Sequence, residues 1–251
     1  MQNKIYFIFY VLILFLSNNG FSANLIDNKT FKEIAKVSEE IIENCPPRDC
    51  LILGIGRSPT PILAFLEASG NTNVSSIPLT GFRYNPFDET SLLPNEEDEL
   101  FKHFDRFVKD NIDSKKKIVV VDFSVSGRSA FAATSYLKKY LKEKEHKIKV
   151  SPVIVSKESS IFNSSVGRTS KSYKVESFTH IELEKDSTLG GQMLRSKYDN
   201  LSPYGTYEAY GTYRPDPIKK KQYLDLVEKM KSKISKKKFI GAICLRRFFS
   251  K

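Results

Sequence analysis

Two short segments hold the residue types that phosphate chemistry needs. The first is Asp122-Phe123-Ser124-Val125-Ser126-Gly127-Arg128-Ser129, which follows the apolar run Ile118 to Val121 and leads into a helical pattern. A hydroxyl-rich turn with a glycine, running straight into a helix, brings backbone amides and the positive end of the helix dipole to one point. A phosphate monoester suits that point. Asp122, at the strand's end, would stand beside it, where a carboxylate can hold sugar hydroxyls or a divalent cation. The plainer alternative is a Ser-rich turn in which Ser126 or Ser129 simply caps the helix. The second segment is Gly54-Ile55-Gly56-Arg57-Ser58-Pro59-Thr60-Pro61. Its glycines allow close backbone approach, Arg57 offers a forked cation, and the amides of Ser58 and Thr60 would lie at a helix start. A glycine-rich turn without a ligand is the alternative there.

The surrounding pattern supplies the elements that would position both turns. Phe31 to Ile42 carries apolar residues at helical spacing, with Thr30 as N-cap and Glu33 completing a capping box. Cys50 to Leu53 reads as a buried strand, Pro59 or Thr60 to Ala68 as a helix, and Ser75 to Leu79 as a second strand. Thr80 to Pro94 is loop-like, and Glu96 to Val108 is an amphipathic helix. Ile118 to Val121, four consecutive β-branched residues, suits a central parallel strand buried on both faces. Ser129 to Leu141 then reads as a helix and Val150 to Val155 as a strand. Alternating strands and helices with short connections predict an α/β fold, a mainly parallel sheet flanked by helices. Ser159 to Ser172, rich in Ser, Asn, Gly and Thr, reads as a surface loop. Tyr204-Gly205-Thr206-Tyr207 is echoed by Tyr210-Gly211-Thr212-Tyr213, and Lys221 to Ile234 is a basic amphipathic helix. One domain over 24–251 is expected, with a core at about 49–157 and an irregular C-terminal extension over 158–251.

Val119-Val120-Val121-Asp122-Phe123-Ser124-Val125-Ser126-Gly127-Arg128-Ser129 resembles the phosphoribosyl-diphosphate loop of type I phosphoribosyltransferases. The Gly54 to Pro61 stretch resembles that family's diphosphate loop and stands in the family's order. The resemblance spans roughly Asp49 to Lys157, less than half the chain. It implies that Asp122 touches ribose hydroxyls and serves catalysis and a magnesium ion, which would arrive with phosphoribosyl diphosphate. It implies that Ser124, Val125, Ser126, Gly127, Arg128 and Ser129 cradle the 5′-phosphate. Gly56, Arg57 and Ser58 would face the diphosphate, and Arg83, Tyr84 and Asp88 would belong to a closing loop. Val121 stands where the family has its first acid, so one carboxylate of the usual pair remains. The function implied is binding of a phosphorylated ribose ligand with phosphoribosyl transfer and diphosphate release. A non-catalytic binder of a phosphorylated sugar or nucleotide is the second reading. The motifs also resemble those of SIS-type sugar-phosphate isomerases, the third.

Composition bounds these readings. The chain has 251 residues, 40% hydrophobic and 27% charged, as a globular protein does. Lys4, the apolar run Ile5 to Leu16 and the small residues Ser22-Ala23 have the layout of a secretory signal peptide over 1–23, with an uncleaved membrane anchor as the alternative. Export would place the mature chain in a secreted or periplasmic setting. There Cys45 and Cys50 either close a disulfide loop or remain buried thiols like Cys244. The formal net charge is +11, with basic clusters at Lys219-Lys220-Lys221, Lys229 to Lys238 and Arg246-Arg247. That tail would either meet an anionic surface or form a solvated helix face, and no specific nucleic-acid motif accompanies it.

Overall fold

Ile118, Val119, Val120 and Val121 are all fully buried, which places their strand at the centre of the sheet and explains its β-branched composition. In the computed structural model the described residues are 26–46, 48–79, 82–157, 160–190, 206–207, 213–214 and 216–240. The leader over 1–23, Cys244 and Arg246-Arg247 lie outside them. The elements are α1 (Asn28–Asn44), β1 (Cys50–Ile55), α2 (Thr60–Ala68), β2 (Val74–Ile77), α3 (Pro94–Phe107), β3 (Lys117–Phe123), α4 (Arg128–Glu143), β4 (Lys149–Lys157), α5 (Ser160–Ser172), β5 (Thr179–Leu183), β6 (Thr206–Tyr207), β7 (Tyr213–Arg214) and α6 (Pro217–Ile240). β1 to β5 form one sheet in the order β2-β1-β3-β4-β5, and every neighbouring pair is parallel. The α/β fold with a parallel sheet is therefore as the pattern predicts.

Side chains alternate across the sheet and feed two cores. Ile118 and Val120 pack with α3 and α4 through residues such as Phe104, Phe131 and Tyr136. Val119, Val121 and Phe123 pack on the other side with α1, α2 and α6, through Ile34, Leu63 and Met230. Each fully buried aliphatic side chain contributes roughly 1.5–3 kcal/mol relative to exposure, so the three layers depend on each other. The basic helix α6 turns Tyr223, Leu226, Val227 and Met230 into this second core, and the Tyr223 hydroxyl donates to Glu67 Oε1 of α2 at 2.5 Å. Burial raises the pKa of Glu67 above the usual carboxylate value. No helix among the described residues is long and apolar enough to cross a membrane.

Several local expectations change. The N-cap of α1 is Asp27, whose carboxylate accepts the Thr30 amide at 2.7 Å. Thr30 is buried inside the helix, and Glu33 reaches Ser187 Oγ and the amides of Thr188 and Leu189 instead of closing a capping box. The stretch read as a Ser159 to Ser172 loop is the helix α5. Its end is held by tertiary bonds that outweigh weak intrinsic propensity: Asn85 Nδ2 donates to Ser172 O and Oγ, and Ser135 Oγ donates to Tyr173 O at 2.6 Å. The repeated Tyr-Gly-Thr-Tyr motif yields a short antiparallel pair, β6 with β7. Cys45 and Cys50 form a disulfide that ties the end of α1 to the first residue of β1.

Candidate phosphate site at the sheet's switch point

The strand order places β2 on one side of β1 and β3, β4 and β5 on the other, so the winding direction reverses between β1 and β3. Open parallel sheets present a crevice at that point, beyond the carboxyl ends of the strands. β1 and β3 run side by side in register from Cys50 opposite Lys117 to Gly54 opposite Val121. The Gly56-Arg57-Ser58 turn leaves β1 and the Ser124 to Gly127 turn leaves β3. The two turns singled out from the sequence thus leave adjacent parallel strands at the same end of the sheet.

The turn after β3 is built from its own hydroxyl. The Ser124 amide donates to Val155 O at 3.0 Å, prolonging the pairing with β4, while Ser124 Oγ accepts the amides of Ser126 at 3.3 Å and Gly127 at 2.9 Å. Ser124 is therefore the former of the turn, and the Ser126 and Gly127 amides, expected to cradle a phosphate, are taken by its hydroxyl. Val125 is the exposed tip. Gly127 is the N-cap of α4 in the left-handed region, φ +72°. A Cβ there would lie 2.8 Å from the Phe131 ring and 2.9 Å from Ile154, so only glycine fits. The first helical bond runs from Phe131 N to Gly127 O at 2.9 Å. Arg128, Ser129 and Ala130 precede it, and their amides have no acceptor within the helix. Neither Ser126 nor Ser129 is the cap, contrary to the plainer reading. Ser126 and Ser129 are half-buried and Arg128 is exposed.

The turn after β1 differs in detail. The Gly56 amide donates to Ile77 O at 2.8 Å, and Gly56 has φ +67°. Thr60 turns inward, its amide and hydroxyl both donating to Arg57 O at 3.2 and 2.7 Å, so its amide is not offered to the crevice as the sequence suggested. Arg57 and Ser58 are half-buried at the mouth. Gly54 serves packing: a Cβ would fall 2.4 Å from Leu63 Cδ1, so the glycine lets α2 lie close on the sheet.

Capping separates these two helices from α1, α3 and α6. α1 starts on Asp27, the Leu93 amide before α3 is capped by Glu96 at 2.9 Å, and α6 starts on Asp216, which accepts two amides. α2 and α4 begin at Pro59 and Gly127 with no side-chain cap and no acid in the first turn. Both uncapped helix starts stand at the carboxyl end of the sheet, and an uncapped helix start can accept an anion.

Asp122 is not in the loop. It is the penultimate residue of β3, paired with Ile154, which in turn pairs with His180. Alternation puts its carboxyl on the α4 side, beneath the Gly127 turn, and only 5% of the residue is exposed. Burial pushes its pKa up to about 7, opposed by a backbone hydrogen bond from Phe123. Such a carboxyl is a desolvated acid near neutrality. Val121 points to the opposite face, and among the described residues no three His, Cys, Asp or Glu side chains gather. A magnesium ion here would therefore be held mainly by the diphosphate it arrives with.

The segment expected to close over the site is fastened to α4 and to the end of α5. The Leu92 amide donates to Tyr136 OH at 2.8 Å, Tyr173 OH donates to Arg83 O at 2.7 Å, and Asp88 accepts from Asn85 and Thr90. Tyr84 packs beside the Phe82 ring. Phe82 to Leu92 straps α4 to the end of α5. Composition missed one pair: Ser156 Oγ and His180 Nε2 lie 2.7 Å apart on the same face as Asp122. Burial holds the imidazole pKa below its ordinary value, favouring the neutral ring. Only the β4 to β5 register brings these residues together, so spacing alone gave no signal.

The chain matches no protein-family model, no curated protein and no solved structure.

Proposed function

We propose that this protein binds a phosphorylated ribose or related sugar phosphate in the crevice between the carboxyl ends of β1 and β3. The observation that carries the reading is the meeting of two glycine-bearing turns at the switch point of a parallel sheet, each opening a helix without a side-chain cap. The phosphate rests against the amides of Arg128, Ser129 and Ala130, and Arg57 supplies a cation across the crevice. A free sugar lacks the dianion that both dipoles attract. Binding without turnover is the favoured form: Val121 stands where the resembled family has its first acid, and the remaining acid, Asp122, is buried on the α4 side. The Cys45–Cys50 disulfide supports an oxidising, exported setting.

Calorimetric titration of the full chain with ribose 5-phosphate, ribose and phosphoribosyl diphosphate, with and without magnesium, tests this. Ribose 5-phosphate binds and ribose does not, Arg57→Ala weakens binding about tenfold, and magnesium leaves affinity unchanged. Equal affinity for ribose and its phosphate rejects the site. Diphosphate release in the presence of nucleobase acceptors replaces the binding reading with the transferase one.

A further inference from the structure

At the opposite end of the sheet, where α4 finishes and β4 begins, lies an open surface depression of about 810 Å³. Its walls carry Lys138, Lys142, Lys147 and Lys149, with His146 and a single acid, Glu145. All four lysines are exposed. The lysines interspersed with them on α4 are differently employed: Lys139 bonds Glu97 and Lys144 pairs with Asp105 at 3.7 Å, both toward α3. Lys115 and Lys117, which precede or open the neighbouring strand β3, donate to Asn73 and to Asn44 O at 2.7 and 2.6 Å. Lys116 pairs with Asp49 at 3.2 Å. Among the described residues the four lysines of the depression have no ion pair, whereas Lys116, Lys139 and Lys144 are each paired with a carboxylate.

A cation at a helix C-terminus complements the dipole, and Lys142 in the last turn is explained that way. Lys147 and Lys149 lie past the helix, and Lys149 stands directly opposite Lys117 in the β3 to β4 register. Two like charges on adjacent strands repel each other. Lys138 and Lys142 are one helical turn apart, about 6 Å, and Lys147 and Lys149 are separated by about 7 Å of extended chain. Charges so spaced around a concavity suit several linked anionic groups better than one dianion.

We infer that this depression is a second, separate anion site that takes a polyphosphate group, carried by a soluble molecule or by a lipid headgroup. It shares no residue with the β1/β3 crevice. The probe is tripolyphosphate, titrated into the full chain at two salt concentrations, with orthophosphate as control. Tripolyphosphate binds at least tenfold tighter than orthophosphate and weakens as salt rises. Lys142→Glu with Lys147→Glu lowers that affinity at least tenfold while ribose 5-phosphate binding and the circular dichroism spectrum stay as in the parent. Vesicles containing a bisphosphorylated inositol lipid identify the headgroup as source if they bind better than phosphatidylserine vesicles of equal charge, and the soluble source otherwise. Unchanged tripolyphosphate affinity in the double variant overturns the inference. So does duplex DNA that displaces tripolyphosphate from these lysines at lower concentration, which makes the depression a nucleic-acid site.

Discussion

Replacing Asp122 by Asn removes an ionisable group from the middle of the sheet while keeping its shape. Burial raises the folded-state pKa from 3.8 to about 7, so the folded chain keeps a proton that the unfolded chain has released across that interval. Below pH 4 both states are protonated and the group contributes no pH dependence. Between pH 4 and 7 the unfolded state binds fewer protons, so stability falls as pH rises, and above 7 the loss is complete. At about 1.4 kcal/mol per tenfold change the full interval corresponds to roughly 4 kcal/mol. Asp122→Asn therefore has a stability close to the parent's at pH 4 and exceeds it by up to about 4 kcal/mol at pH 8. Urea unfolding at both pH values, with the disulfide intact, reads the difference. A gap that does not grow with pH, or an Asn variant less stable at pH 8, refutes the assignment of Asp122 as a desolvated acid.

Gly127→Ala puts a side chain at φ +72° against Phe131 and Ile154 and lowers stability by roughly 2–3 kcal/mol in the same urea assay; an unchanged midpoint would mean that the turn is not held in that conformation. Reducing the Cys45–Cys50 disulfide, which closes a short loop, lowers stability by roughly 2 kcal/mol, seen as a lower urea midpoint after dithiothreitol. Tyr136→Phe leaves the buried Leu92 amide without its acceptor and costs about 1–3 kcal/mol. Faster proteolysis in the Phe82 to Leu92 strap accompanies that loss.

The parts of the fold that local chemistry determines were legible in the sequence. Four β-branched residues in a row suit a doubly buried strand, and Pro59 to Pro61 opens a helix because proline is tolerated in the first turn. Both glycine turns followed from the same kind of argument, and their meeting at one sheet end follows from parallel topology. What escaped was set by distant partners. Glu33 is drawn from its local capping role by amides at Thr188 and Leu189, more than 150 residues away. Ser172 and Tyr173 hold α5 against Asn85 and Ser135, which overrides a composition that favours loop. Asp122 reads as a loop residue because acids are rare in strands, yet β4 extends its pairing through Phe123 opposite Val155 and buries it. Thr60 and Ser124 have the chemistry of ligand contacts, but each spends its hydroxyl on its own turn.

Amide chemical-shift mapping with isotope-labelled protein and ribose 5-phosphate tests the central claim most directly. The account predicts saturable shifts concentrated at Gly56, Arg57, Ser58 and Arg128 to Ala130. Shifts that centre on Lys138 to Lys149 instead, or no shifts in either turn at saturating ligand, contradict it.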